Sequence, residues 1–94
     1  MPRSHVERRL RDVTERLKRA REELSVLDEQ FTALNETAEE ARIRAVVAET
    51  PLAEKEWREA QRHVDAMDAS RRELAKRIQD LQRSQDTLLD RIVI

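Results

Sequence analysis

From Val6 onward the apolar residues fall at Val6, Leu10, Val13, Leu17, Ala20, Leu24, Leu27, Phe31, Leu34, Ala38, Ala41, Ala45 and Ala48, in alternating steps of four and three. This spacing is a heptad seam. With Leu10 at position a and Val13 at d, a seven-residue repeat sustained over so many turns predicts a long helix in a left-handed supercoil. The pattern resumes at Ala53, Trp57, Ala60, Val64 and Met67 and continues through Leu74, Ile78, Leu81, Leu88 and Ile92. Its phase is as strict as the first, with two polar residues, Arg71 and Gln85, standing at a positions.

Between the two runs lies Glu49-Thr50-Pro51, where a helix has a chemical reason to stop. Proline pushes the residue before it out of the α region. It also suits the first position of a new helix, where its missing N–H would have no partner in any case. The Thr50 hydroxyl can then accept a hydrogen bond from a free amide of that helix. Ser4, with Glu7 three residues on, is the expected cap of the first helix. The chain therefore reads as all-α, with one helix over about 4–48, a turn at 49–50 and a second helix over about 51–92. The two arms are nearly equal, which predicts a single antiparallel coiled-coil hairpin spanning residues 1–94.

Folding the arms together pairs seam positions whose numbers sum to about 101 or 102. Trp57 then faces Ala45, Ala60 faces Ala41, Val64 faces Ala38 and Met67 faces Leu34. Further along, Leu74 faces Leu27, Ile78 faces Leu24 and Leu88 faces Val13. At the flanking g positions Arg44 is expected opposite Glu56 and Glu23 opposite Arg77, whereas Arg9 meets Arg91, a like-charge pair. Residues 1–21 carry eight basic and three acidic side chains, and residues 22–40 carry seven acidic and none basic. The antiparallel arrangement lays that acidic block along Arg71, Arg72, Lys76 and Arg77. A parallel dimer of continuous helices would stack it on its own copy.

Composition narrows the class further. Charged residues make up 41% of the chain and aromatic ones 2%, with no glycine and no cysteine, a profile of long helices rather than of a globular core. No disulfide framework or thiol chemistry is available. No apolar run is long enough to cross a membrane, and Met1-Pro2-Arg3-Ser4-His5 lacks the apolar core of a signal peptide, so a cytoplasmic location is expected. The cations of Arg8-Arg9-Leu10-Arg11 and Lys18-Arg19-Ala20-Arg21 spread over five heptad positions and alternate with acids. Without a clean basic stripe or an aromatic platform, and with a net charge of -1, the pattern argues against nucleic-acid binding.

Three groups of residues depart from a plain coiled coil. Ile43, Val46, Val47 and Leu52 surround the turn at positions that a two-helix seam does not bury, and such an apolar patch marks a candidate protein-partner surface. Arg71 faces Phe31; its stem is expected to pack along the seam while its guanidinium reaches Asp28 or Asn35 and marks the register. In the alternative, Arg71 and Arg72 contact a small anionic nucleotide. Finally, Leu89, Val93 and Ile94 fall outside the seam, as do Val26 and Ala33. A homodimer pairing two hairpins into a four-helix arrangement would bury them, and a two-helix hairpin gains from added burial.

Catalytic and metal chemistry find no foothold. His5 and His63 are far apart in the hairpin, and Glu36, Glu39 and Glu40 read as a solvated face rather than as metal ligands. The absence of glycine excludes the familiar phosphate-cradling loops. Ser70 and His63 share a helix face but lie two turns apart, too far for the histidine to activate a nucleophile. No enzyme activity and no cofactor are expected.

The shape resembles the coiled-coil arm of the Gre transcript-cleavage factors, with Glu54-Lys55-Glu56-Trp57-Arg58-Glu59-Ala60 similar in character to their post-tip segment. That family's tip carries a pair of metal-recruiting acids, whereas this tip mixes Glu49 and Glu54 with Arg42, Arg44 and Lys55. The chain also resembles small anti-sigma hairpins gated by cyclic di-GMP. In those, a nucleotide-binding serine has an acid four residues before it and an arginine three after; here Ser25 is preceded by Arg21 and followed by Asp28. The expected function is a noncatalytic interaction module, in its most concrete form a small regulator of transcription acting by protein contact. A nucleotide-gated switch and a structural spacer are the alternatives.

Overall fold

The computed structural model describes residues 2–93, with side chains from Ser4 to Val93. It is an all-α helical hairpin of two helices, α1 over Pro2–Ala48 and α2 over Pro51–Val93. Helix α1 begins two residues earlier than its sequence predicts, so Ser4 sits inside the first turn and does not cap it. The reason is Pro2: at the first helical position its fixed φ is already helical and no donor is lost, so the helix can start there.

The turn is built as the local sequence demands. The Glu49 amide donates to the Ala45 carbonyl at 3.1 Å, and Glu49 itself has a φ of 53°, the left-handed conformation that ends many helices. One residue later the Ala53 amide donates to the Thr50 hydroxyl at 3.2 Å, and the Glu54 amide donates to the Thr50 carbonyl at 3.1 Å. Thr50 is thus the cap of α2 and Pro51 its first residue. Glutamate is a poor occupant of the left-handed region, because its Cβ crowds the backbone where glycine would not. Replacing Glu49 with Gly should raise stability by about 1 kcal/mol, whereas Thr50→Ala should lower it by about 1 kcal/mol. Thermal melts of the two variants check both signs; a Glu49→Gly protein melting below the parent would contradict the first.

Contacts divide the chain into two units, each made from both helices. The first joins the segment ending at Leu24 to the segment starting at Glu73, and the second is Ser25–Arg72, which contains the turn. In the first unit the core is Val13, Leu17 and Ala20 from α1 with Leu74, Ile78 and Leu88 from α2. Leu17 is the most deeply buried large side chain, 2% exposed. Gln85 lies above it on the seam and donates its side-chain amide to the Thr14 hydroxyl at 3.1 Å. The bond lies at the solvent-exposed edge of the seam, so it ties the two helices there without burying a polar group.

In the second unit the core is made largely of small residues: Ala38, Ala41 and Ala45 from α1 with Ala53 and Val64 from α2. Trp57, Ala60 and Met67 complete it, half-buried. Alanine at successive a and d positions lets two helix backbones approach closely, since interaxial distance follows the size of the contacting side chains. Seam positions in both helices are buried or half-buried except Ala48, the last residue of α1. The heptad phase read from the sequence is therefore the phase that packs.

Candidate functional site

The exposed apolar residues gather around the turn of the second unit. Ile43, Val46, Leu52 and Val47 are 50%, 61%, 65% and 79% exposed respectively. They flank the turn because helix positions three and four apart share a face: Ile43, Val46 and Val47 lie on the last two turns of α1, and Leu52 on the first turn of α2. Beside them is a concavity of about 260 Å³ lined by Ala45, Val46, Trp57, Glu49 and Glu54. Ala45, Val46 and Trp57 make its apolar side, and its two charged residues are both acids next to the start of α2, where negative charge is favoured by the helix dipole.

Trp57 and the acidic rim were not part of the patch expected from sequence. The signal for the tryptophan was present in the Trp57–Ala45 pairing, yet seam phase alone assigns it to the core. Only the depth of its burial shows that part of the ring faces the surface. Near the same end Arg42 closes on Glu39, with Nη2 at 2.6 Å and Nε at 3.0 Å from its two oxygens. The hydrogen bond from Arg42 holds the Glu39 carboxyl below the ordinary carboxylate range and raises the Arg42 guanidinium. A carboxylate lowered in this way adds to stability above its ordinary pKa, and the contribution is lost as pH falls through the lowered value. Both side chains are solvent-exposed, so water screens the pair strongly.

Arg71 is the second special position. Its Nε donates to Asp28 Oδ1 at 2.7 Å, its Nη1 donates to Asp68 Oδ1 at 3.2 Å, and its guanidinium lies 4.1 Å from the centroid of the Phe31 ring. The Phe31 stacking and the Asp28 contact agree with the expected register, whose paired numbers sum to 102 for Phe31 and Arg71. Asn35 is not used. Asp68 was missed, although it stands three residues before Arg71 on the same helix face, a spacing at which opposite charges meet. Arg72 is exposed and pairs with Asp68 Oδ2 at 3.0 Å. Two carboxylates and an aromatic ring already surround the Arg71 guanidinium, so an incoming anion would have to displace or share them.

No family model, curated protein or solved structure matches the chain.

Among the described residues, Arg71–Asp28 is the ion pair that joins the two helices. The expected pairs Arg44–Glu56 and Glu23–Arg77 do not close to within 4.0 Å, and the lengthwise match of the acidic block to Arg72, Lys76 and Arg77 does not form. Charges instead pair along their own helix: Arg16 with Asp12, Arg19 with Glu15, Arg42 with Glu39, Lys55 with Glu59 and Arg83 with Asp80. A partner three or four residues away on the same helix is already within reach. Spanning the seam would extend two long side chains for a screened interaction.

The remaining expected contacts are exposed. Leu89 is 42% and Val93 82% exposed, Val26 and Ala33 are also open to solvent, and Ile94 lies outside the described residues. No group of three or more His, Cys, Asp or Glu side chains among the described residues could hold a metal ion. No helix of the described residues is long and apolar enough to cross a membrane.

Proposed function

We propose that the protein is a noncatalytic interaction module that docks a protein partner through the turn end of its second unit. The observation that carries this reading is the exposure of Ile43, Val46, Val47 and Leu52 around the turn. Apolar side chains clustered at this density and left open to water are favourable to cover, at roughly 25 cal/mol per Å² of apolar surface removed from solvent. The groove between Ala45 and Trp57 adds a place for one inserted side chain, and tryptophan in such a wall is the residue type that most often anchors an interface. Glu49 and Glu54 at its rim select the partner's chemistry: an apolar side chain flanked by lysine or arginine.

The Val46→Asp/Val47→Asp double variant should keep its helicity at 222 nm, because neither residue is in the seam. Capture of the partner, identified by mass spectrometry with the parent protein as bait, should drop at least tenfold. Trp57→Ala should weaken the same capture. Undiminished capture by the double variant would remove the turn end as the docking surface.

A further inference from the structure

The first unit carries a separate feature on the opposite kind of surface. Two concavities lie beside the seam, each lined from both helices and in part by g residues: Arg9, Arg16 and Glu23 of α1 with Arg77, Ser84 and Arg91 of α2. One, of about 220 Å³, is lined by Arg9, Arg83, Ser84, Thr87, Leu88 and Arg91. The other, of about 380 Å³, is lined by Arg16, Arg19, Ala20, Glu23, Arg77 and Leu81. Arg9 and Arg16 are one heptad apart, as are Arg77, Ser84 and Arg91, a step of about 10.5 Å along a helix. Six arginines therefore line the two hollows, with Glu23 as the acid in their walls and Asp12, Glu15 and Asp80 paired to three of the arginines.

Their pairing is incomplete. Arg16, Arg19 and Arg83 have carboxylate partners on their own helices, the last at a loose 3.7 Å. No carboxylate among the described residues comes within 4.0 Å of Arg9, Arg77 or Arg91. Arg9 and Arg91 come from different helices and line the same hollow, so two like charges face each other across the seam. Both are exposed, so water screens much of their repulsion, and an anion between them would relieve what remains. Guanidinium forks with two hydroxyl donors, Ser84 and Thr87, form a donor set that matches phosphate oxygens.

We propose that these hollows bind a condensed phosphate chain, the phosphoanhydride portion shared by inorganic tripolyphosphate and nucleoside triphosphates. The chain's narrowness fits the site. The first hollow is smaller than the pockets that enclose drug-sized molecules, and the second is at the low end of their range. Phe31 and Trp57, the aromatic residues on which a base would stack, both belong to the other unit. Asp12, Glu15 and Asp80 flank the hollows, so a broad polyanion such as a duplex would meet repulsion where a thin one would not.

Calorimetric titration of the full chain with sodium tripolyphosphate and with ATP, alongside an Arg9→Gln/Arg91→Gln variant, tests the assignment. Both ligands should bind the parent with dissociation constants within about threefold of each other, and both should bind the variant at least tenfold more weakly while its helicity is unchanged. Binding of tripolyphosphate alone would also support the site and identify the free inorganic chain as its ligand. Three results would overturn it: binding of ATP alone, equal heat from sulfate at matched ionic strength, or a single-stranded oligonucleotide binding tenfold more tightly than tripolyphosphate. The Arg58→Gln/Arg62→Gln variant, altered in the second unit, should bind as the parent does. An equal loss there would show general charge attraction and no site. The thermal midpoint gives a second readout, since a ligand of the native state must raise it in the parent and leave the Arg9→Gln/Arg91→Gln variant unmoved.

Discussion

Leu17→Ala should cost about 3 kcal/mol, the largest loss expected from any single truncation in the chain. Leu17 is 2% exposed, so the change removes a fully packed side chain and leaves a hollow that the facing residues of α2 fill only in part. Most comparable positions are less sealed: Leu10, Leu24 and Leu81 are half-buried. A chain of this length has a stability of roughly 5–14 kcal/mol by the usual per-residue range, and a helix pair that buries little surface belongs near the bottom of it. Losing about 3 kcal/mol should lower the melting temperature by about 15 °C. Urea unfolding followed at 222 nm measures the loss directly. A cost below about 1 kcal/mol would mean that α2 does not close over Leu17.

The second large effect concerns Arg71, and its sign depends on what replaces it. Arg71 is 28% exposed and its partners Asp28 and Asp68 are 49% and 31% exposed. Arg71→Ala would remove the positive charge from between two half-buried carboxylates and the cation from the Phe31 ring. Full burial of such a broken pair costs about 3–5 kcal/mol, and partial solvent access reduces this to about 2 kcal/mol with the ring contact included. Arg71→Leu restores an apolar a residue and should cost less. Combined with Asp28→Asn and Asp68→Asn it should match or exceed the parent, as hydrophobic replacements of buried ion pairs often do. Denaturant curves for the three proteins check the order. If Arg71→Ala costs under about 0.5 kcal/mol, the cluster is an ordinary solvated ion pair and does not hold the register.

These two positions show how differently the seam and its exceptions were legible. Leu17 belongs to the core because of heptad spacing alone, and its burial is what that spacing predicts. Arg71 was marked as a polar interruption whose head group had to find a partner nearby, and it found Asp28 together with Asp68. The turn was equally plain from Thr50 and Pro51, but the left-handed conformation of Glu49 was not. A chain without glycine gives no residue-type signal for positive φ, so the backbone strain is visible only in the structure. Ser4 misled because a serine with a glutamate three residues later also occurs inside helices, and the earlier Pro2 starts this one.

Charge was the poorest guide. Block-by-block segregation of acids and bases implied pairing across the seam, whereas the side chains satisfy one another mostly within each helix, because the nearest opposite charge wins in a screened surface setting. The arginines of the first unit were legible only in part for a related reason. The g positions place Arg9 opposite Arg91, but Arg19 and Arg83 lie off those positions and join the two hollows only once the helices pack.

What the amino-acid order determined by itself is periodic: which residues form helices, where the break falls, and which face of each arm avoids water. Those properties follow from local backbone chemistry and from apolar spacing, and both are written along a single chain. What the tertiary structure decided is what the register leaves open: that Trp57 beside Ala45 stays half-exposed, that Asp68 joins Asp28 on Arg71, and that Arg83, Ser84 and Thr87 line one hollow with Arg9 and Arg91. Exposure and the choice among nearby partners depend on how the packed surfaces meet, which no single-helix period encodes.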